Sequence, residues 1–265
     1  MSDLELGREL GHGEAGCVLQ ARHKPTNRLF ALKRVNICEQ STRHQVMREL
    51  QAYRECGSMP QIVGLFDVFY VEQRVYMVLE LMTWGSLEVL IHSHNVKVKQ
   101  KGTGKYEKMQ ESLLSSIAFS VLKALRFLHD DHKMVHRDLK PGNVLLSMDG
   151  GVKLSDFGVS IRDADTDCVA GTVGYMSPER LDGQVCSDKG DIWALGIMIL
   201  ECAKGVHPFV TGDYAPRSQA DLWAMVVQKE PPSAKGLGYT EAFEHFIDSC
   251  LVKLEQCRPS ASALL

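Results

Sequence analysis

The residues of this sequence best suited to chemistry lie in one stretch, His136-Arg137-Asp138-Leu139-Lys140-Pro141-Gly142-Asn143, after Met134-Val135 and before Val144-Leu145-Leu146. It offers a carboxylate able to take a proton, two cations and an amide oxygen able to ligate a hard metal ion. Five residue types at fixed spacing, each at about 5% frequency, recur by chance in roughly one chain of this length in ten thousand, so a solvated polar turn is a poor account of it. Thirteen residues past Asn143, the strand-like run Val152-Lys153-Leu154-Ser155 leads into Asp156-Phe157-Gly158. Asp156 is the kind of oxygen ligand Mg²⁺ takes, and Gly158 lets the backbone turn sharply behind it. Alone the triplet is unremarkable. At this spacing it supplies the other half of a Mg²⁺ site.

Two further groups could serve a phosphate. In Gly11-His12-Gly13-Glu14-Ala15-Gly16-Cys17-Val18, three glycines let backbone N–H groups come close to an oxyanion. With 22 glycines in 265 residues, such a triplet arises about 0.15 times per chain, so an ordinary glycine turn stays open as a reading. The motif lies between two strands, whereas a dinucleotide fingerprint opens a helix; no Gly-Lys-Ser/Thr follows, so it is not a Walker loop. Lys33, closing Ala31-Leu32-Lys33, reads on its own as a snorkelling edge lysine. Glu49, however, shares a helix face with Val46, Leu50 and Tyr53. An inward carboxylate is costly unless a cation meets it, and Lys33 is the obvious partner.

The elements that must hold these groups follow from periodicity. From Leu4 to Val35, apolar pieces at Leu4/Leu6/Leu10, Val18-Leu19 and Leu29–Leu32 alternate with glycine and Lys24-Pro25-Thr26-Asn27, which predicts three strands. A helix follows, capped by Ser41 or Thr42 and ended by Gly57 and Pro60; strands are then expected over Val63–Tyr70 and Val75–Leu81. Past Thr83-Trp84-Gly85 the pattern turns helical. Leu113, Ile117, Val121, Leu125 and Leu128 form an amphipathic stripe, and the nearly all-apolar run from Ile192 to Cys202 predicts a helix wrapped on every side. The stretch His92–Gln110, with Lys97, Lys99, Lys101, Lys105 and Lys108, reads as an exposed insert, either a solvated loop or a docking surface.

Composition narrows the classes. Thirty Lys+Arg against 33 Asp+Glu give a charge of −3, so no global basic field draws nucleic acid or an anionic membrane. The strongly apolar run Ile192–Leu200 is about half the ~20 residues of a membrane span. Met1-Ser2-Asp3-Leu4-Glu5 has neither a basic nor an apolar region, so a cytoplasmic protein is expected. Eight cysteines without a CxxC pair suggest neither disulfide staples nor zinc, and most read as small buried hydrophobes.

In these motifs, over about Leu4 to Leu265, the chain resembles the eukaryotic protein kinase family, whose known signature set they match. The resemblance implies an α+β bilobal fold. Residues 1–82 would be a small antiparallel β-sheet lobe with one helix that binds nucleotide. Residues 83–265 would be a large, mainly helical lobe carrying the catalytic loop and activation segment. ATP and Mg²⁺ are the implied cofactors. By the same resemblance Gly11, Gly13 and Gly16 cover the ATP phosphates, and Lys33, positioned by Glu49, holds the α- and β-phosphates. Asp138 takes the substrate hydroxyl proton, Lys140 offsets charge on the phosphoryl group, and Asn143 and Asp156 hold Mg²⁺. Leu10, Val18, Ala31 and Leu145 line the adenine slot; Leu79 is its gatekeeper, and the backbone of Glu80 and Met82 binds the base. Glu179 of Ser177-Pro178-Glu179 should pair with Arg258 in the last helix, and Asp191 should anchor the catalytic loop. Lys140-Pro141 and Thr172 favour Ser/Thr acceptors.

Within the family the stretches Met47–Leu50, Asp156–Ser160, Gly171–Leu181 and Gly85-Ser86-Leu87 look like those of MAP kinase kinases. This implies a MAP kinase as protein substrate, phosphorylated on Thr and Tyr, and an upstream activating kinase; no nucleic-acid or membrane partner is implied. A pseudokinase binding nucleotide without turnover, or a small-molecule phosphotransferase, are the alternatives. Arg137 is of the type that receives a phosphate from the activation segment. Cys168 stands four residues before Thr172, where related kinases often have Ser or Thr. Either Thr166 is the activating phosphosite, or its neighbours Asp163, Asp165 and Asp167 partly replace the phosphate, or this is an acidic solvated loop.

Overall fold

The computed structural model describes residues 2–13, 16–100, 108–162, 171–184, 187–210, 216 and 218–265. The chain opens with β1 (Leu4–Gly13), β2 (Gly16–His23), β3 (Arg28–Asn36), α1 (Gln40–Cys56), β4 (Leu65–Val71) and β5 (Arg74–Leu79). The five strands form one antiparallel sheet in the order β1-β2-β3-β5-β4. Its alternation buries two faces. Ala31, Val35, Val75, Met77 and Leu79 join the main core with α1, while Ala21, Leu32, Tyr76 and Val78 form a small separate cluster on the other side.

Two details differ from the sequence reading. Helix α1 starts at Gln40 without a side-chain cap, and Ser41 and Thr42 fall inside its first turn. Strands β4 and β5 run further toward each other than expected, because Glu72 and Gln73 both take positive φ (47° and 61°) and close a two-residue hairpin. Neither residue is one that advertises that turn.

The larger part continues through β6 (Gly85–Ser86), α2 (Leu87–Gln100), α3 (Glu111–Arg126), β7 (Met134–Val135), β8 (Val144–Leu146), β9 (Val152–Leu154) and β10 (Ile161–Arg162). It ends with α4 (Pro178–Leu181), α5 (Lys189–Lys204), α6 (Gln219–Trp223), α7 (Glu241–Cys250) and α8 (Ala261–Leu264). This is the small sheet lobe with one helix, and the mainly helical lobe, that the sequence implied. Helix α5 is wrapped as foreseen, with Ile192 to Leu200 all buried. The stripe on α3 is shifted by one residue at its start: Leu114 is fully buried while Leu113 is 38% exposed, since adjacent helical residues point about 100° apart. The supposed insert is partly helix. Helix α2 carries its first half through Gln100, including Lys97 and Lys99, and Met109 is buried; Lys101 and Lys105 lie outside the described residues. Glu111–Asp131 is long and apolar enough to cross a membrane, but half of it is buried within the fold. Of the described cysteines, Cys17, Cys56, Cys202 and Cys250 are buried, whereas Cys38 and Cys257 are exposed.

The join between the parts is what positions the site. Strand β9 of the second part bonds to the segment leading into β4: Leu154 N–H donates to Gln61 O (2.8 Å) and Val63 N–H to Leu154 O (3.0 Å). One continuous buried cluster therefore runs from Val35 and Tyr53 through Ile62, Leu79, Leu154 and Phe157 to Leu139 and α5.

Candidate active site

The loop after β7 is organised by one buried carboxylate. Asp191, in the first turn of α5, accepts the His136 N–H and His129 Nε2, both at 2.8 Å, on Oδ2, and the Arg137 N–H at 2.8 Å on Oδ1. Burial alone would raise its pKa, but the His129 bond and charge bring it below the usual carboxylate range. These bonds hold Arg137 at φ 71°, a left-handed conformation that turns the next residue toward the cleft. Arg137 itself is buried, and Arg180 Nη1 donates to its carbonyl at 2.9 Å.

Asp138 then meets four donors. Its Oδ1 accepts the Thr172 N–H (2.8 Å) and hydroxyl (2.7 Å); its Oδ2 lies 2.9 Å from Lys140 Nζ and accepts Asn143 Nδ2 at 3.0 Å. Lys140 also donates to Thr172 Oγ1 at 2.8 Å. Partial burial works against the charge, yet the Thr172 and Lys140 bonds lower the pKa, so the carboxylate is ionised at neutral pH. Asn143 spends its amide N–H groups on the carbonyl (2.8 Å) and the carboxylate of Asp138, leaving Oδ1 as the atom it can offer a cation.

The loop is tied to the next carboxylate through Ser155, whose N–H (2.9 Å) and hydroxyl (3.1 Å) both donate to the Asn143 carbonyl. Asp156 follows at φ 65° with its Oδ1 3.2 Å from Lys33 Nζ. Lys33 reaches both oxygens of buried Glu49, at 2.7 and 2.9 Å, which confirms the pairing read from the helix face. Burial disfavours the ammonium, but Glu49 and Asp156 outweigh it and raise the Lys33 pKa, keeping it charged. The Phe157 ring is fully buried, edge-on to Tyr53 of α1 and to His136, each with centroids 5.3 Å away. One aromatic thus wedges α1, Asp156 and the catalytic loop into fixed relation.

Asn143 Oδ1 and the carboxylate of Asp156 are hard oxygen donors. Mg²⁺ commonly takes one or two such protein oxygens and completes its shell with phosphate and water, so this donor set fits it. Among the described residues no three His, Cys, Asp or Glu side chains cluster as a self-sufficient metal cage.

The residues expected to line the adenine slot come from paired strands: Val18 is opposite Lys33, Ala31 opposite Leu79, and Leu145 lies on β8. Leu79 and Met82 are buried, Val18 and Leu145 half-buried, and Leu10 stands at the exposed rim. The Glu80 N–H donates to Gly64 O (2.8 Å), so its carbonyl is the atom left for a base. The glycines differ in purpose. A Cβ on Gly11 would meet nothing within 4 Å, whereas one on Gly16 would fall 1.8 Å from the Arg34 carbonyl. Gly16 is therefore required by the close pairing of β2 with β3, independently of any ligand. Gly13 closes the β1–β2 pairing opposite Gly16.

Glu179 and Arg258 meet as expected, at 2.7 and 3.0 Å, both buried. Arg258 is not in the last helix, however. It sits before α8 in extended backbone, where its other N–H groups reach the carbonyls of Lys189 (2.8 Å) and Val252 (2.9 Å). Thr166 and Cys168 lie outside the described residues. Sequence reasoning missed Ser155, Arg180, Tyr175, Glu201 and His207, which support the site through contacts with distant segments and carry no spacing that marks them.

The protein kinase domain family matches residues 4–265. The chain is 36% identical over 272 residues to mitogen-activated protein kinase kinase 1 of Arabidopsis thaliana, covering all of this chain and 73% of that protein. It is 34% identical over 287 residues to the dual specificity mitogen-activated protein kinase kinase dSOR1 of Drosophila melanogaster, covering 99% of this chain and 69% of that one. To mitogen-activated protein kinase kinase 1c of Physcomitrium patens it is 37% identical over 281 residues, covering all of this chain and 75% of the relative.

Proposed function

Because this chain belongs to the protein kinase family, we propose that it transfers the γ-phosphoryl group of ATP to Thr and Tyr hydroxyls of a MAP kinase, in the cytoplasm, after activation by an upstream kinase. The observation that carries the reading is the Asp138 carboxylate, ionised and aimed by Thr172, Lys140 and Asn143, with Lys33, Glu49 and Asp156 intact beside it.

Phosphoryl transfer passes through a loose transition state, so the protein's work is positioning and charge compensation. Lys33 holds the α- and β-phosphates and is kept from swinging away by Glu49. Asn143 and Asp156 would hold Mg²⁺, which would neutralise charge on the phosphate oxygens. Asp138 accepts a hydrogen bond from the substrate hydroxyl and orients it in line. As the new O–P bond forms and the bond to the β-phosphate oxygen breaks, the hydroxyl proton passes to Asp138 and ADP leaves. With its pKa lowered, Asp138 is a weak base, so orientation outweighs early proton removal. Lys140 faces the charge on the transferring group. Val18, Ala31, Leu79 and Leu145 hold the adenine, with backbone bonds from Glu80 and Met82; Leu10 closes the rim and Gly11, Gly13 and Gly16 cover the phosphates. The MAP kinase target is supported by the relatives' names, and Thr166 is the phosphosite this reading assigns, with Arg137 its receiver.

The test is incubation with Mg²⁺-ATP and a panel of MAP kinases beside an Asp138→Asn control. Transfer to protein that falls by about 10²–10⁴-fold in the control is expected. Nucleotide binding without transfer to any of them would overturn the proposal in favour of a pseudokinase.

A further inference from the structure

The segment Thr172–Met176 is pinned at three places. Thr172 is bound to Asp138, and Tyr175 donates its hydroxyl to Glu201 Oε2 of α5 at 2.6 Å. The third hold is on the backbone between them: His207 Nε2 lies 3.1 Å from the Gly174 carbonyl oxygen. A carbonyl only accepts, so Nε2 carries the proton. Burial lowers the pKa of this ring, with the charge of Lys204 pushing the same way against the Gly174 carbonyl, so the imidazole is neutral and the donor is permanent.

His207 is itself held tightly. Its ring stands edge-on to Tyr175, with centroids 5.1 Å apart at 88°, and tilted against Phe209 at 5.8 Å. A Cβ on Gly174 would lie 3.2 Å from Nε2, so only glycine fits comfortably under the ring. The residue comes from the turn after α5, where Gly205 ends the helix at φ 72°. Its observed bonds and ring contacts are to Gly174, Tyr175 and Phe209 and to none of Asp138, Lys33, Asn143 or Asp156. Any effect on the reaction must pass through the Gly174 backbone.

We infer that His207 is a positioning residue for the protein substrate, its N–H fixing the stretch of backbone along which the substrate chain lies when its hydroxyl reaches Asp138. This rests on the protein-substrate reading above. Thr172 covers one side of the Asp138 carboxylate, so a chain that delivers a hydroxyl there passes beside Val173 and Gly174. On the proposed reading ATP is held by the sheet and Lys33, which His207 does not touch. Releasing Gly174 therefore weakens alignment of the protein and leaves the nucleotide alone.

Three variants separate the hydrogen bond from the packing. His207→Phe keeps an aromatic ring and loses the donor, His207→Gln keeps an N–H donor and loses the ring, and His207→Ala loses both. With a MAP kinase that the wild type phosphorylates, we expect the Phe and Ala variants to raise KM for that protein about tenfold, the effect of losing one hydrogen bond to a partly buried carbonyl. The Gln variant should stay within about threefold of wild type, and KM for ATP should move less than about twofold in all three. A Phe variant equal to wild type, or KM for ATP rising in step with KM for protein, overturns the inference. So does equal impairment of all three, which would mean that any change at this position disturbs the segment whether or not a donor is kept. If the wild type phosphorylates none of the proteins tried, the kinase reading has failed first and this inference falls with it.

Discussion

Replacing Asp191 with asparagine should unseat the catalytic loop, and the cost can be worked from its three bonds. The carboxylate accepts the Arg137 N–H on one oxygen and the His136 N–H and His129 Nε2 on the other, all at 2.8 Å. An amide has one oxygen. If its NH₂ takes the Oδ1 place, the Arg137 N–H faces a donor; if it takes the Oδ2 place, the His136 N–H does. Either way one buried backbone donor is orphaned, at about 1–3 kcal/mol, and the surviving bonds lose their charge assistance, about 1 kcal/mol each. The sum is roughly 3–5 kcal/mol from a protein whose total stability is on the order of 5–15. At about 3 °C per kcal/mol for a chain of this size, the melting temperature should fall roughly 10 °C. Arg137 is held at φ 71° by these bonds, so their loss also lets the backbone relax and carries Asp138 off its place. A displacement of about 1 Å costs on the order of a hundredfold in rate. Thermal unfolding and initial-rate kinetics on the same preparations check both effects: kcat should fall about a hundredfold while KM for ATP, set by other elements, changes little. An Asp191→Asn protein melting within about 2 °C of wild type, with kcat within about threefold, would refute the reasoning.

Further outcomes follow from other contacts. Glu179→Ala leaves the guanidinium of Arg258 buried without its counter-ion and should cost about 3–5 kcal/mol in urea unfolding, while the double change Glu179→Leu with Arg258→Met should cost clearly less. Gly16→Ala must push the Arg34 carbonyl away and should lower both stability and ATP affinity; Gly11→Ala, with open space around its Cβ, should leave the melting temperature within about 2 °C. Asp138, Glu179 and Asp191 all have pKa values below their ordinary range: burial opposes this, and Thr172, Arg258 and His129 respectively lead the lowering. Such groups contribute stability that is complete above their unfolded pKa and lost as pH falls through the folded one; partly buried His207, whose pKa burial lowers, adds a shallower loss as its unfolded counterpart protonates at about pH 6.5, so the urea midpoint should dip slightly there and decline steeply below about pH 4. A midpoint that stays flat from about pH 7 to about pH 3 would refute this. Thr166→Ala should abolish activation by the upstream kinase, measured as MAP kinase phosphorylation; full activation of the variant would remove Thr166 from that role.

The residues proposed to do the chemistry were legible as a group because they cluster in sequence. Asp138, Lys140 and Asn143 share one loop, and Asp156 follows within a strand's length. The Lys33–Glu49 pair was legible for a different reason: an acid on an apolar helix face demands a cation, and one lysine stood directly after the buried pair Ala31-Leu32, inside β3. What escaped were contacts between distant segments that need only one ordinary residue each. Tyr175 to Glu201, His207 to Gly174 and Arg180 to the Arg137 carbonyl depend on where α5 and α4 end in space, which no local pattern encodes. The glycine motif was half legible, since its composition fits a phosphate loop but does not say that Gly16 answers to Arg34. The one-residue shift at Leu113 and the two-residue hairpin at Glu72-Gln73 show the same limit, because tertiary packing chose among local options of similar energy.

The buried cluster that passes from the sheet into the helical lobe bears on how the chain can be dissected. Ile62, Val63, Leu79 and Met82 belong to the same buried cluster as Leu154 and Phe157 from beyond position 83. A fragment ending near Met82 would carry that apolar surface into water, and the complementary fragment would expose the other half of the same seam. Neither piece has a core of its own at the cut, so splitting the chain at the domain-like boundary should yield two aggregating halves, and co-expression should restore solubility only if they reassemble.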